Sequence, residues 1–318
     1  MPLDTSAYTA YRTAMMSDLK DGIRPPRLAH YTSIATLESI LKSRELWFSN
    51  PLYMNDLEEL RFGLNEGIFA LRNSEALRAS CGSNENYDQL MSYFDALYNE
   101  FGTQHALDVY ILCLSEHNTD STDGSLSMWR GYGAHGTGAA LILDTEKFIR
   151  YATLPIIADK VHYATAEARK DWLTHKVAAL AEQIARYPKT SENLNEAAKL
   201  CFDRLKIFAL FTKHSGFSEE NEWRAVYVRQ LDQNAQLEEC LSYAITQRGV
   251  EPKLKFPLGA AAPRPNDAPS GEDLFCGILL GPSQSSLLAQ ASIRRMVKLL
   301  GFPQLSDNVY ASGIPFRG

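Results

Sequence analysis

The stretch LAHYTSIATLESILKSRELWFSN, residues 28–50, decides the fold. A short apolar run ends in His30-Tyr31-Thr32-Ser33, and from Ser33 onward Ile34, Leu37, Ile40 and Leu41 recur at helical spacing. Thr32 or Ser33 suits the cap of that helix, because a side-chain oxygen there accepts from the free backbone N–H groups of the first turn. Glu45-Leu46-Trp47-Phe48-Ser49 then reads as a second strand, closed by Asn50-Pro51. A strand end beside a helix start presents side chains and unpaired N–H groups to one place. His30-Tyr31-Thr32-Ser33 is therefore a candidate site; the bland alternative is a satisfied histidine followed by a cap.

Reading outward, an N-terminal helix is broken at Ile23-Arg24-Pro25-Pro26, and Asn55-Asp56 starts another helix running to about Leu71. Residues 73–87 read as a polar loop, 88–101 as a helix, and Asp108 to Ser115 as a strand. The polar run His117 to Gly124 must be a loop, and Ala139 to Leu143 is the next strand. Leu173, Val177, Leu180 and Ile184, then Leu194, Ala198, Cys201, Leu205 and Phe208, mark two amphipathic helices. They form a hairpin around Tyr187-Pro188, read as an insertion over 165–213. FSEENEWRAVYV (217–228) returns to strand character, 257–272 is a Pro-, Ala- and Gly-rich loop, and Leu274 to Leu280 is a buried strand. Ile293, Met296, Val297 and Leu300 mark a final helix stopped at Gly301. Strands and helices are interspersed without strict βαβ alternation, which predicts an α+β fold, read as a single domain over 1–318.

The 318 residues are 45% apolar and 22% charged, a composition that excludes disorder. A formal charge of −6 argues against generic binding to polyphosphate backbones, which needs a basic surface. Cys81, Cys113, Cys201, Cys240 and Cys276 are odd in number and widely spaced, so neither a disulfide framework nor a zinc site is expected. The N-terminus lacks a signal-peptide core, and no run approaches the roughly 20 apolar residues of a membrane span. The expected compartment is the cytoplasm, with no membrane partner.

No dinucleotide fingerprint, P-loop, metalloprotease helix or nucleophile elbow is present. Gly131-Tyr132-Gly133 and Gly136-Thr137-Gly138 match no nucleotide motif and read as a turn between strands. Two constellations remain beside His30-Tyr31-Thr32-Ser33. Ser127-Met128-Trp129-Arg130-Gly131-Tyr132 combines rings, a guanidinium and a hydroxyl, a mixture suited to stacking on a planar ring or, alternatively, to a buried turn. In Glu219-Glu220-Asn221-Glu222-Trp223-Arg224, Glu220 and Glu222 share a face if the segment is a strand, with Arg224 beside them. Carboxylates entering an apolar strand are costly unless paired or used; the alternative is a solvated edge.

HYTSIATLESILKSRELWFSNP resembles the opening of ADP-ribosyltransferase-fold proteins, especially DNA thymidine ADP-ribosyltransferase toxins. The chain as a whole is similar to the bacterial family DUF2971 through HYTS, LWFSNPLYMNDLEE, ILCLSE, SMWRGYG–GTGAALILD, FSEENEWRAVY, ILLGP and ASGIPFRG. The first resemblance implies a split β-sandwich core and NAD as substrate. It implies that His30 bonds a ribose hydroxyl in the adenosine half, with Tyr31, Thr32 and Ser33 beside it. Trp47-Phe48-Ser49 would be the second motif, with a ring against the nicotinamide, although the usual Tyr or Ser-Thr-Ser pattern is missing there; Tyr132 is the alternative ring, with Trp129 adjacent. Glu222, or else Glu220, would be the catalytic glutamate, and Arg130 or Arg24 would meet the pyrophosphate. The implied activity is transfer of ADP-ribose to a macromolecular acceptor, protein or nucleic acid, as in bacterial toxins and anti-phage effectors, with room for a regulatory partner. An NAD glycohydrolase and a non-catalytic binding module are the other readings. They separate on whether His30 and Glu222 face one cleft.

Overall fold

VYILCLSE, rich in β-branched and apolar residues, forms the strand on which one half of the molecule is organised. The computed structural model describes residues 5–18, 26–54, 57–103, 105–119, 123–148, 154–258 and 274–316. They divide into two compact units. One comprises Arg24–Asn50, Val109–Val161 and Phe217–Gly318; the other comprises Met1–Ile23, Pro51–Asp108 and His162–Gly216.

In the first unit lie β1 (Leu28–Thr32), β2 (Glu45–Ser49), β3 (Val109–Glu116), β4 (Ala139–Leu143) and β5 (Ile156–Lys160). After β6 (His162–Ala164) and β7 (Thr212–His214), which belong to the other unit, it continues with β8 (Glu222–Val228), β9 (Leu241–Thr246), β10 (Gly249–Pro257), β11 (Phe275–Leu280) and β12 (Val309–Ala311). The sheet runs β12-β11-β4-β1-β3-β2-β10-β9, with β8 paired to β3 and β5 to β8. Its pairs are antiparallel except β11 with β12. β8 takes one edge of β3 from Val109 to Ser115. The other edge is shared: β2 pairs at Ile111, whereas β1 pairs at Ser115 and Glu116. The sheet forks there, and β1 and β2 leave β3 at opposite ends.

Cross-strand partners share a face, so the register assigns sides. Tyr110, Leu112 and Leu114 of β3 lie with Trp223, Ala225 and Tyr227 of β8 in the main core, joined by Leu28, Phe48, Leu141 and Phe256. Leu37, Ile40 and Leu41 from the helix Ile34–Ser43 and Val297 from the helix Leu287–Leu299 pack into the same cluster. Each such large apolar side chain contributes about 1.5–3 kcal/mol on full burial. On the opposite face Ala29, Tyr31, Ala140, Ile142 and Leu279 form a smaller cluster with Met128 and Trp129 of the helix Leu126–Gly131.

The second unit is mainly helical: Thr5–Met16, Leu57–Arg72, Glu75–Ser80, Asn84–Thr103, Ala166–Arg186 and Ser191–Phe211, with the short parallel pair β6–β7. The hairpin expected over 165–213 is present and is part of this larger helical unit. Phe94 and Phe101 set their edges against Phe202, and Lys176 and Arg204 reach the Met15 carbonyl at the end of the first helix.

Residues 73–87 are not a loop. Ser74 accepts from the Leu77 N–H and caps Glu75–Ser80, and a long helix begins at Asn84, with Ser83 accepting from Asn86. The polar residues there are caps, not loop formers. The strand expected over 217–228 starts only at Glu222, and the hairpin β9–β10 was not anticipated. Asn55-Asp56, Arg24 and most of the 257–272 segment lie outside the described residues. The five cysteines are free thiols. Among the described residues no helix is long and apolar enough to cross a membrane.

Candidate functional site

His30 sits where β1 parts from β3. The backbone ladder between them stops at Ala29, and the next residue bonds instead through its side chain, Nδ1 lying 3.2 Å from the Cys113 carbonyl. A carbonyl can only accept, so Nδ1 carries the proton and Nε2 is the acceptor of the neutral ring. Burial lowers the His30 pKa below the usual imidazole value, and the Cys113 carbonyl opposes that shift. Thr32 is buried, and Ser33 caps the following helix, its Oγ 3.0 Å from the Thr36 N–H. Ser33 also lines a groove of about 610 Å³ with Ala134, Thr137 and Ser286.

Tyr31 points to the other face. Its ring meets Trp129 edge-on at 4.8 Å and 74°, and its Oη accepts from the Ser125 N–H at 3.0 Å. Burial raises its pKa, with Ser125 acting the other way. Gly124, at φ +74°, makes this packing possible, because a Cβ there would stand 2.7 Å from Tyr31 Oη. Trp129 is fully buried and donates Nε1–H to the Asp123 carbonyl, so it is a core ring and not a stacking platform. Arg130 and Tyr132 are exposed. The glycine run after them is a close-packed turn in which Gly133 O accepts from Gly136 and Gly138.

The glutamates separate. Asn221 adopts a left-handed conformation, φ 41°, which Asn tolerates better than most residues, and this turn breaks the two-residue period. Glu220 therefore lies in a 3₁₀ turn, Ser215–Glu220, and Glu222 in β8; they do not share a strand face. Glu220 is half-buried, its backbone carbonyl taking Ser115 Oγ–H at 2.6 Å and its Oε1 taking Tyr132 Oη–H at 3.0 Å. Glu222 is 5% exposed and held by Arg224, itself 2% exposed, through Nε to Oε1 at 2.8 Å and Nη2 to Oε2 at 3.2 Å.

Pairing Leu28 with Glu116 and Ala29 with Ser115, and Ser115 with Glu222, puts Glu222 on the face of Ala29 and Tyr31. His30 alternates to the other side. The register thus answers the question that separates the readings: His30 and Glu222 lie on opposite faces. What converges on the Tyr31 face is Trp129, Ser115, Glu222 and Arg224 on the sheet and its helix, with Tyr132 and Glu220 joined beside them.

Ser49 and Trp47 also lie on this face, since Leu46 and Phe48 take the core side of β2. Trp47 donates Nε1–H to Glu45 at 2.8 Å, with Lys255 Nζ 4.5 Å from its ring centre. Ser49 Oγ accepts from Lys253 Nζ at 2.9 Å, and Lys253 pairs with Glu251 at 3.0 Å. Burial works to raise the Glu251 pKa, but hydrogen bonds from Thr246, Lys253 and Arg248 and the Lys253 charge outweigh it and bring it down to about 2. The Ser49-Lys253-Glu251 chain was missed from sequence, although alternation of Val250, Pro252, Leu254 and Phe256 with Glu251, Lys253 and Lys255 signals it.

No curated protein and no solved structure matches the chain. DUF2971, a family of proteins of unknown function, matches residues 128–225, 98 of the 318. That stretch supports the resemblance to this family and holds Trp129, Arg130, Tyr132, Glu220, Glu222 and Arg224, while His30 lies outside it.

Proposed function

We propose that the chain is an NAD-consuming enzyme that transfers ADP-ribose to a macromolecular acceptor, protein or nucleic acid, with Glu220 supplying the catalytic carboxylate. The observation that carries this reading is the 3.0 Å bond from Tyr132 Oη to Glu220 Oε1, which orients a solvent-accessible carboxylate beside an exposed ring. Glu222 is a poorer candidate, because both its oxygens are engaged by buried Arg224. The fork of the sheet at β3 supports the split-sheet reading of the resemblance.

Cleavage of the nicotinamide–ribose bond builds positive charge on the ribose, as in glycoside hydrolysis. A fixed carboxylate that bonds the 2′-hydroxyl and faces the developing cation binds the transition state more strongly than the ground state. One such charge-assisted contact supplies on the order of 3 kcal/mol, about a hundredfold in rate. Tyr132 would stack on the nicotinamide while holding the carboxylate, and exposed Arg130, in the helix that Tyr132 caps, would meet phosphate. An effector of this kind would act as a toxin or in anti-phage defence.

The test follows nicotinamide release and ADP-ribose capture on lysate protein, RNA and DNA for wild type, Glu220→Gln and Tyr132→Phe. Glu220→Gln is expected to lose about a hundredfold in release with NAD binding retained. Release without any labelled acceptor would make the activity a glycohydrolase. The second reading, a non-catalytic binding module, is favoured by the placement of His30 on the face opposite Glu222. It takes over if wild type neither binds nor consumes NAD with acceptors present.

A further inference from the structure

We infer that Ser115 is a positioning residue for Glu220: its hydroxyl fixes the peptide from which the carboxylate is aimed. The inference rests on the reading of Glu220 as the catalytic carboxylate, and it adds to that site a residue that acts only through another. Ser115 is 2% exposed and closes the ladder of β3 with β8. Its Oγ–H leaves the ladder and donates to the Glu220 carbonyl at 2.6 Å, near the short end for a hydroxyl donor.

The N–H of the same peptide, on Asn221, donates to the Ser218 carbonyl at 3.2 Å. A peptide unit is planar and carries the Cα atoms on either side of it. Held at its oxygen and at its nitrogen, this one has a fixed plane, and with it a fixed place for the Glu220 Cα. The next residue of β3 extends the grip, the Glu116 N–H donating to the Asn221 carbonyl at 3.0 Å. Two consecutive residues of the strand thus take two consecutive carbonyls of the turn. Between those carbonyls lies Asn221 at φ 41°, a conformation that persists in a residue other than glycine where its surroundings impose it.

The far end of the side chain is held by Tyr132, whose Oη–H bonds Oε1 at 3.0 Å. Tyr132 is 42% exposed and Ser115 is buried, so the root of the side chain is fixed from inside the protein and its tip from the surface. Without the Ser115 hydroxyl the peptide after Glu220 is held at its nitrogen alone. A displacement of about 1 Å at a reacting group costs on the order of a hundredfold in rate.

The experiment measures kcat and KM for nicotinamide release from NAD in wild type, Ser115→Ala, Ser115→Thr and Glu220→Ala, each below its own unfolding transition. The same four chains with fluorotyrosine in place of Tyr132 give a fluorine-19 resonance that reports the bond to Glu220 without needing activity. Ser115→Ala is expected to lose about a hundredfold in kcat at unchanged KM. Ser115→Thr, which keeps the hydroxyl, is expected to recover it. The Ser115→Ala resonance is expected to move from the wild-type position toward that of Glu220→Ala. A Ser115→Ala chain with wild-type kcat and resonance, beside an inactive Glu220→Ala, overturns the inference and leaves the catalytic reading standing. A loss of kcat that Ser115→Thr does not recover also overturns it, because packing alone then explains the loss. If wild type releases no nicotinamide, the catalytic reading fails separately and the resonance alone decides whether Ser115 aims Glu220. Unmoved in Ser115→Ala, it overturns the inference as well.

Discussion

Arg224 holds both carboxylate oxygens of Glu222, at 2.8 and 3.2 Å, inside the protein. Removing one partner of a buried pair strands the other charge, whereas replacing both by apolar groups of similar volume is often neutral. Glu222→Gln is therefore expected to lose about 3–5 kcal/mol of stability, read from the urea midpoint. Glu222→Leu combined with Arg224→Met should recover most of it. A Glu222→Gln protein with wild-type stability would mean that the pair is not structural.

His30 titrates in a predictable direction. Its pKa is lowered in the fold, so the neutral ring is favoured there. The stability it contributes is full above the unfolded imidazole value, about 6.5, and is lost as pH falls through the lower folded value. Nitrogen-15 spectra of the ring should show the Nδ1–H tautomer at pH 7 and a midpoint below 6.5. An Nε2–H tautomer would break the assignment of the bond to Cys113.

Glu251, with a pKa of about 2, acts in a separate window. The unfolded chain binds its proton near pH 4.5 and the folded one near 2, so stability falls as pH drops between these values. Urea unfolding over that range should show a shallower pH slope for Glu251→Gln than for wild type. Equal slopes would dissociate the carboxylate from the Lys253 network.

Gly124 tests the packing under the loop before the helix Leu126–Gly131. At φ +74°, with Tyr31 Oη only 2.7 Å from where a Cβ would stand, Gly124→Ala meets both strain and a clash with a buried phenol. Loss of about 1–3 kcal/mol is expected. Near-ultraviolet dichroism should register displacement of the Tyr31–Trp129 pair, while Gly82→Ala, at a similar φ of +74° but in open space, should leave that signal unchanged.

The core strands and the helix Ile34–Ser43 were legible because their apolar spacing is strong: Glu45–Ser49 and Ala139–Leu143 fall where the pattern puts them, and Ser33 is the cap that its hydroxyl suggests. The fates of Glu220 and Glu222 were not, because they turn on one left-handed residue, Asn221, which no periodicity reports. The side taken by His30 was hidden for a related reason. A strand's alternation says that neighbours face opposite ways, but only the register with β3 and β4 says which way each faces. Trp129 was misjudged because composition cannot tell a ring lying under a loop from one presented to a ligand.

The shared strand β3 also sets an order on biosynthesis. VYILCLSE leaves the ribosome well before its long partner, which ends at Val228, 112 residues after Glu116. At about 5–20 residues per second, that segment waits roughly 5–20 s with one edge bare. A transcript truncated before β8 would yield a chain whose central strand never finds its long partner.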